Sequence, residues 1–354
     1  MTRIADLHIA EEELLPSPRD IRTAVPVDET KAAVIARARA SIRDIIHGRD
    51  DRLIVVTGPC SIHDIDAALE YADRLRSLAR QVEDVLFVVM RVYFEKPRTR
   101  LGWKGMIYDP DLDGRGDIAK GLRKARSLLA ECAGLGVPTA SEILDLATPQ
   151  YYAELLSWGA IGARTTESPL HRQMASALSA PLGFKNPTSG KLKTAVDAIV
   201  VAGQSHKFPS VSLDGRAIVV TTTGNPDCHL VLRGGDAGTN YDAASVAAAA
   251  AALDSANVTP RVMIDCSHAN SEGDYRRQPD VAANVDEQIV PGSPHILGIM
   301  LESHLFEGRQ NPGPNLSALE YGQSITDGCI GWEATVQVLD RLANAVRSRR
   351  KPRA

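Results

Sequence analysis

Short, strongly apolar runs alternate with longer amphipathic segments along most of this chain. The runs are rich in valine, isoleucine and leucine, and the segments that follow them carry apolar residues at helical spacing. Strands that are apolar throughout are buried on both faces, which is typical of parallel sheets covered by helices. The eight runs are 52–60, 85–93, 137–144, 160–165, 181–187, 229–235, 261–268 and 295–304. Eight strands, each followed by a helix, predict an α/β fold closed into a (β/α)₈ barrel, the TIM-barrel architecture.

Two segments do not fit this repeat. Residues 1–50 form an extension with one helical pattern, over 29–48, and residues at about 207–222 predict a β-hairpin between units five and six. The hairpin turns at Asp214 and Gly215, because Asp-Gly is a good signal for a tight turn. Such additions are not needed to close a barrel, so we expect them to serve assembly or regulation.

The third helix of the repeat is predicted over 148–159, with Pro149 in its first turn. The whole chain then divides into three parts. These are an N-terminal extension at 1–50, a catalytic barrel with its hairpin insert at 51–348, and a basic tail at 349–354.

Composition and charge narrow the class of protein. The 354 residues carry a formal net charge of -4, so we expect no nucleic-acid partner, and any basic site must be local. The five cysteines are odd in number and scattered, which favours a reducing compartment over a disulfide framework. Neither a secretory signal nor a run of about 18 apolar residues is visible, so we expect a cytoplasmic protein without a membrane partner.

The ends of the apolar runs carry an unusual number of cations. In a (β/α)₈ barrel the carboxyl ends of the strands surround the active site. Like charges crowded at one barrel mouth repel one another unless an anion neutralises them. Arginine forks fit phosphate oxygens, and lysine adds a point charge, so the pattern predicts a phosphorylated, multiply anionic substrate. The cations are Arg91, Lys96, Arg98, Arg164, Lys185 and Arg233.

A second set at the same ends combines a thiol, an imidazole and two carboxylates. Its members are Cys60, His268, Glu302 and, in the following loop, Asp327. A mixed soft and hard donor set suits Mn²⁺, Fe²⁺, Co²⁺ or Zn²⁺. Spacing alone leaves two alternatives open: Cys60 could pair locally with His63, or it could be a small buried hydrophobic residue.

Eight ordered blocks of the sequence resemble one known family. They are "GPCSIHD", "MRVYFEKPRTRLGWKG", "WGAIGARTTES", "GFKNPTSG", "LRGG", "DCSHANS", "LESHLFEG" and "SITDGCIGWE". Together they resemble the type I 3-deoxy-D-arabino-heptulosonate 7-phosphate (DAHP) synthases, and among them the feedback-regulated subtype with an N-terminal extension. The resemblance runs from about Asp6 to Arg347 and implies the same barrel fold.

The resemblance also implies a reaction and its cofactor. Members condense phosphoenolpyruvate with erythrose 4-phosphate and water and release phosphate, in the first step of the shikimate pathway. One divalent metal ion per subunit is implied as well. The sequence leaves open whether the metal activates the aldehyde or the attacking water.

Matching positions assign roles by resemblance. Phosphoenolpyruvate would be held by Arg91, Lys96, Gly162, Ala163, Arg164, Lys185 and Arg233, and erythrose 4-phosphate by Arg98 and Thr99. The metal ligands would be Cys60, His268, Glu302 and Asp327. Lys96 would help to protonate the nascent alkoxide, and Glu142 or a metal-bound water would handle the protons of the attacking water. Cys60, His268 and Asp327 would contribute to catalysis through the metal.

Regulation by an aromatic amino acid is implied in the same way. The matching positions are Asp6, Ile9, Pro149, Gln150, Leu178, Ser179, Phe208 and Ser210. In regulated members the extension crosses to a neighbouring subunit, so a homodimer or homotetramer is expected. Ser210 lies where a side chain would narrow the site, which favours phenylalanine over tyrosine and leaves tryptophan open.

Three other functions fit parts of the pattern. A related synthase could use arabinose 5-phosphate, but "KPRTRLGWKG", the extension and the hairpin argue against it. A metal-dependent aldolase for unphosphorylated acids would not need six converging cations. A non-enzymatic amino acid sensor would not need both the metal set and the anion set, and the barrel alone separates none of these.

Overall fold

A closed barrel of parallel strands forms the centre of the molecule. The computed structural model describes residues 4–97, 102–313 and 315–351. In these residues the strands, in chain order, are β1 (Leu53–Gly58), β2 (Leu86–Arg91), β3 (Thr139–Glu142), β4 (Trp158–Ile161), β5 (Leu182–Lys185), β6 (Lys207–Val211), β7 (Ala217–Thr221), β8 (Cys228–Leu232), β9 (Val262–Asp265) and β10 (Ile296–Glu302). All but β6 and β7 pair in parallel and close in the order β1-β10-β9-β8-β5-β4-β3-β2. The predicted (β/α)₈ barrel is confirmed.

Helices alternate with the barrel strands. Within the same described residues they are α1 (Pro18–Ala24), α2 (Glu29–Ile46), α3 (Ile65–Val82), α4 (Ile118–Gly134), α5 (Pro149–Tyr152), α6 (Pro169–Ala175), α7 (Leu192–Ala202), α8 (Ala243–Ser255), α9 (Gln278–Ile289) and α10 (Trp332–Arg349). Aspartates cap several of them: Asp64, Asp117 and Asp242 accept from backbone N–H groups of the first turns of α3, α4 and α8. None of the helices among the described residues has both the length and the apolar content to span a bilayer.

Helix α2 of the extension closes the amino-terminal end of the barrel. Ile42, Ile45 and Ile46 are completely or almost completely buried and pack with the side chains inside the barrel, Trp158 among them. Full burial of one such side chain contributes about 1.5–3 kcal/mol. The barrel is therefore filled from below, and its mouth lies at the carboxyl ends of the strands.

The extension contains more helix than the sequence pattern indicated. Alongside α2, which lies within the predicted 29–48, the short helix α1 is present. Ser17 caps α1 in a reciprocal capping box with Asp20. This seven-residue helix is too short to show a helical period, so only its capping residues could have predicted it from the sequence.

The helix predicted over 148–159 is much shorter than expected. It consists of α5 and a 3₁₀ turn, Ala153–Leu155, and β4 already begins at Trp158. Arg39 of α2 donates to the carbonyl oxygens of Ala153, Glu154 and Leu156, at 3.1, 3.1 and 2.8 Å. A long-range partner therefore satisfies the carbonyls that a longer helix would have used itself.

The hairpin and the tail lie outside the barrel wall. β6 and β7 pair antiparallel, with Ser210 opposite Ile218, and Ser212 N–H donates to Arg216 across the turn, which confirms the predicted hairpin. At the other end of the chain, α10 runs to Arg349. The guanidinium of Arg350, just beyond it, bonds the carboxylate of Asp51, so the described part of the tail is anchored to the start of the barrel.

Candidate active site

A cluster of metal-binding side chains lies at the mouth, at the ends of β1 and β10. Ligand atoms of Cys60, Glu302 and Asp327 all lie within 4.8 Å of one another. His268 is further out, with Nε2 4.0 Å from Glu302 Oε1. Burial and the neighbouring Glu302 raise the pKa of the Cys60 thiol. A thiol and two carboxylates around one point, with an imidazole beside one of the carboxylates, fit a divalent transition-metal ion, whose binding would release the thiol proton.

Two of the predicted cations pack against this cluster. The fully buried guanidinium of Arg91 donates to Glu302 Oε1 at 2.7 Å and to the carbonyl of Cys60 at 3.2 Å. It also lies over the ring of Tyr93, at 3.6 Å. Lys96 Nζ lies 2.9 Å from Cys60 Sγ. The anion-binding set and the metal-binding set therefore share one wall.

The remaining described cations of the set line the opposite side of the mouth. Arg164 is exposed and Arg233 is half-buried. Burial, followed by repulsion from Arg164, lowers the pKa of Arg233, although Asp265 opposes this. Arg233 Nε is buried and has no hydrogen-bond partner among the described residues. A buried, unpaired guanidinium donor beside a second arginine is a seat for an anion.

Asp265, at the end of β9, was missed from the sequence. Its fully buried carboxylate accepts from Lys185 Nζ at 2.8 Å and lies 3.0 Å from His268 Nδ1. Burial alone would raise the pKa of Asp265, but Lys185 and His268 outweigh burial and hold that pKa well below its usual value. An acid inside the otherwise apolar run 262–266 was the signal that could have revealed it.

His268 itself has an unusual backbone. Its φ of 59° lies in the left-handed region, which costs a non-glycine residue free energy. Its carbonyl accepts from Gly273 N at 3.0 Å and from Ser271 Oγ at 3.2 Å. The loop therefore holds the imidazole at the mouth with Nδ1 towards Asp265 and Nε2 towards Glu302.

Glu142 ends β3 close to the backbone of Gly162. A Cβ atom built on Gly162 would lie 2.0 Å from Glu142 Oε1, so only glycine permits this approach. Glu142 is almost completely buried, and Ala163 beside Gly162 is half-buried. Arg98 and Thr99, the predicted sugar-phosphate residues, lie outside the described residues.

A separate cavity of about 520 Å³ lies between the hairpin, α5 and α6. Six of the eight predicted effector residues line it: Pro149, Gln150, Leu178, Ser179, Phe208 and Ser210. The other two, Asp6 and Ile9, are exposed in the N-terminal segment and do not line the cavity within this chain. The cavity also contains an ion pair that sequence reasoning missed, Arg22 with Glu154 at 3.2 Å.

Comparison with known proteins decides the family. A family model described as the DAHP synthetase I family matches residues 24–340. The chain belongs to the DAHP synthetase I family. The sequence resemblance is thereby confirmed, and dependence on a divalent metal is a general property of this family.

Within the DAHP synthetase I family the chain has close relatives with different effectors. It is 53% identical over 346 residues to the Phe-sensitive phospho-2-dehydro-3-deoxyheptonate aldolase of Escherichia coli, which covers 98% of both chains. It is 51% identical over 337 residues to the Tyr-sensitive enzyme of the same organism, which covers 95% of this chain and 94% of that enzyme. The structure of the Francisella tularensis phospho-2-dehydro-3-deoxyheptonate aldolase has a TM-score of 0.95 and 47% identity, covering 97% of this chain and all of the other.

Proposed function

We propose that this chain condenses phosphoenolpyruvate with D-erythrose 4-phosphate and water to give DAHP and phosphate. This would be the first step of the shikimate pathway, feedback-inhibited by an aromatic amino acid and located in the cytoplasm. Membership of the DAHP synthetase I family supports the reaction. The observation that carries it is the buried Nε of Arg233, which has no hydrogen-bond partner among the described residues and lies close to Arg164 and to Glu302 of the Cys60 cluster.

The phosphoenolpyruvate seat comprises Arg91, Lys96, Gly162, Ala163, Arg164, Lys185 and Arg233. Most donors of Arg91 are engaged by Pro59, Cys60 and Glu302, but among the described residues the only hydrogen-bond partner of Nη1 is the weakly accepting sulfur of Met300 at 3.4 Å. That Nη1 group is the part of Arg91 that we assign to the substrate. Arg98 and Thr99 receive the phosphate of erythrose 4-phosphate.

One divalent metal ion per subunit, Mn²⁺, Fe²⁺, Co²⁺ or Zn²⁺, is held by Cys60, His268, Glu302 and Asp327. When bound, the metal supplies Lewis acidity beside the seats of the aldehyde and of the attacking water. Arg91 holds Glu302 at 2.7 Å, and Asp265 holds His268 at 3.0 Å. Both ligands are therefore oriented from behind by buried charged groups.

The fixed cations solve the main difficulty of the reaction, because two anionic substrates repel each other. Arg164, Lys185 and Arg233 neutralise phosphoenolpyruvate before the two reacting carbons approach. Lys96 Nζ lies 2.9 Å from Cys60 Sγ. Its ammonium group protonates the nascent alkoxide. Glu142, whose Oε1 lies close to Gly162, takes a proton from the attacking water.

An aromatic amino acid binds the cavity between the hairpin, α5 and α6. Relatives that are Phe-sensitive and Tyr-sensitive by name support this class of effector, and we propose phenylalanine first. Asp6 and Ile9 complete the site from a neighbouring subunit of a homodimer or homotetramer. Residues 1–50 thus serve assembly and regulation, while 51–348 carry catalysis.

Phosphate release by the purified, metal-reconstituted protein tests the function directly. We expect activity with phosphoenolpyruvate plus erythrose 4-phosphate, loss of it with a chelator and recovery with added metal. Arabinose 5-phosphate is the parallel substrate, and each reaction is repeated with phenylalanine, tyrosine and tryptophan. Turnover of arabinose 5-phosphate alone, or silence with both sugars in folded, metal-loaded protein, would contradict the proposal.

A further inference from the structure

A buried carboxylate that the proposed mechanism does not use lies directly before Lys96. Glu95 is completely buried, and none of the ion pairs among the described residues includes it. Hydroxyl and backbone donors satisfy it instead: Tyr108 Oη at 3.3 Å, Leu144 N at 3.3 Å, Thr148 Oγ1 at 3.1 Å and Tyr152 Oη at 3.2 Å. A buried carboxyl group without a cation depends strongly on such bonds, because each lost bond leaves a buried polar oxygen unsatisfied.

Three of these four donors come from one short segment, residues 144–153, that has two faces. Leu144, Thr148 and Tyr152 recur at intervals of four and bond Glu95. The opposite face lines the 520 Å³ cavity with Leu146, Pro149, Gln150 and Ala153. The segment therefore separates the cavity from Glu95 by one layer of residues.

A second wall of the cavity reaches the same segment. His171 of α6 lies with Nε2 2.7 Å from the carbonyl oxygen of Leu144. Its neighbours on α6, Leu170, Gln173 and Met174, line the cavity. A shift of α6 would therefore move Leu144 through this hydrogen bond, and the N–H of Leu144 also bonds Glu95.

On the other side, Glu95 fixes the backbone from which Lys96 reaches the mouth. Their contacts show that Glu95 faces the 144–153 segment while Lys96 faces Cys60. Lys96 N donates to the carbonyl of Lys104 at 2.9 Å, and its Nζ lies 2.9 Å from Cys60 Sγ. Moving the Glu95 carboxyl would move the attachment point of the Lys96 side chain.

We propose that Glu95 is a positioning residue that couples occupancy of the cavity to the placement of Lys96. An occupant that displaces residues 144–153 displaces Thr148 and Tyr152, and Glu95 follows its hydrogen-bond donors. Lys96 then leaves its position beside Cys60. This inference rests on the proposed function, because it takes the occupant to be an inhibitory aromatic amino acid.

The test removes one bond of this coupling and leaves the cavity lining intact. Tyr152→Phe deletes the hydroxyl that bonds Glu95, and Thr148→Val deletes the second donor on the same segment. Tyr321→Phe is the matched control, because the Tyr321 hydroxyl bonds a carboxylate, Glu70, at 2.9 Å on the exposed surface. For each full-length, metal-loaded protein, kcat, both KM values, the thermal midpoint and inhibition by phenylalanine, tyrosine and tryptophan are measured. Calorimetry measures binding of the same amino acids separately from activity.

In the Tyr152→Phe and Thr148→Val proteins we expect effector binding and uninhibited kcat to stay within about threefold of the original values. In the original protein, saturating effector should lower activity by about 5–150-fold. In each variant, saturating effector should lower activity by about twofold or less. The control should remain fully inhibited. Tight binding without inhibition is an outcome that a purely structural role for Tyr152 would not produce.

Two results would overturn the inference in distinguishable ways. If the original protein is inhibited and both variants are inhibited equally well, Glu95 does not transmit the signal, and the proposed regulation stands. If the original protein neither binds nor responds to any of the three amino acids, the proposed regulation fails and the coupling fails with it. Should one variant not fold, the other decides.

Discussion

At the scale of single residues, two buried carboxylates near the mouth are treated in opposite ways. Asp265 has a lysine and a histidine as partners, which hold its pKa well below the usual range. Glu95 has only neutral donors, so burial, with Asp145 nearby, raises its pKa to about 7. The first is a fixed anion that orients charged groups, and the second is an acid whose charge changes near neutral pH.

Replacing Asp265 with asparagine should damage substrate and metal binding together. Asp265→Asn leaves Lys185 without its buried counter-charge and removes the negative charge that lies 3.0 Å from His268 Nδ1. We expect the affinity for the metal to fall roughly 10–100-fold and the KM for phosphoenolpyruvate to rise. Metal titration against a fluorescent chelator measures the first effect, and initial rates of phosphate release measure the second.

Asp197→Asn is the matched control for this change. It removes a carboxylate from an exposed pair with Lys193 at 2.7 Å on α7, which contributes at most about 0.5 kcal/mol. Unchanged metal affinity in Asp265→Asn, with the fold intact, would show that His268 is oriented by other contacts.

Glu95 predicts a specific dependence of stability on pH. Its pKa is about 7 in the folded chain, against 4.5 for the ordinary carboxyl group. The folded state therefore holds a proton that the unfolded state releases, so this contribution is complete below about pH 4.5 and is lost as the pH rises through about 7. Glu95→Gln, which is always neutral, should gain stability over the original chain between pH 5 and pH 8, by an upper limit on the order of 3 kcal/mol.

Denaturant unfolding of both proteins at pH 5 and pH 8 measures that difference. The groups that face Glu95, namely Asp145, Tyr108, Thr148 and Tyr152, are the same in both proteins, so the comparison isolates the change at position 95. An equal gain at both pH values would mean that Glu95 stays charged throughout this range.

Sequence reasoning identified the residues that carry unusual chemistry but not the residues that hold them. Cys60, Glu302 and Asp327 were predicted, with His268, as a set because a thiol, an imidazole and carboxylates together suit a metal ion, and the structure brings these three together. Asp265 and Glu95 are ordinary acids until their burial and partners are known. Burial of a charge is a property of the folded chain. The pattern of apolar residues therefore does not predict which acids are buried or which groups they bond.

At the scale of elements, strands were more predictable than helices. Each barrel strand is buried on both faces, so a short apolar run between polar loops was a sufficient signal. Helix α5 was not, because its length is set by Arg39, more than a hundred residues away in sequence. Elements whose ends depend on long-range partners are the ones that local patterns misjudge.

The hairpin offers a test of the cavity that leaves the barrel untouched. Ser210→Phe places an aromatic ring into the cavity lined by β6, which should abolish inhibition by the aromatic amino acid while catalysis continues. Dose–response curves with phenylalanine and tyrosine measure the effect. Val219→Phe on β7 is the control, since Val219 is 63% exposed and does not line the cavity. Equal inhibition of Ser210→Phe and the original chain would place the effector elsewhere.

At the scale of the whole molecule, α2 closes the amino-terminal end of the barrel. The N-terminal segment that precedes α1 is exposed on the surface of the single chain. Ile4, Leu7 and Leu14 of that segment are 88%, 61% and 96% exposed in the single chain. Apolar side chains in such numbers on one short segment are typical of a surface that another protein covers. This agrees with the homodimer or homotetramer that we propose.

Deleting residues 1–15 should therefore separate assembly from catalysis. The deletion stops before α1 and α2, so the barrel remains intact and α2 still closes its amino-terminal end. We expect a lower oligomer mass in light scattering and weaker feedback inhibition, with the uninhibited kcat within about threefold because the mouth is not altered. An unchanged mass and unchanged inhibition would show that the segment has no part in either.

The closure of the barrel by α2 also has a consequence for folding during synthesis. Ile42, Ile45 and Ile46 leave the ribosome early, but Leu297 and Met300, which they join inside the barrel, are made near the end. β1 likewise waits for β10, its partner across the closing seam. Until synthesis reaches Glu302 the nascent chain carries a helix whose apolar face has no partner and a sheet with an open edge, so chaperones have a long interval in which to bind them.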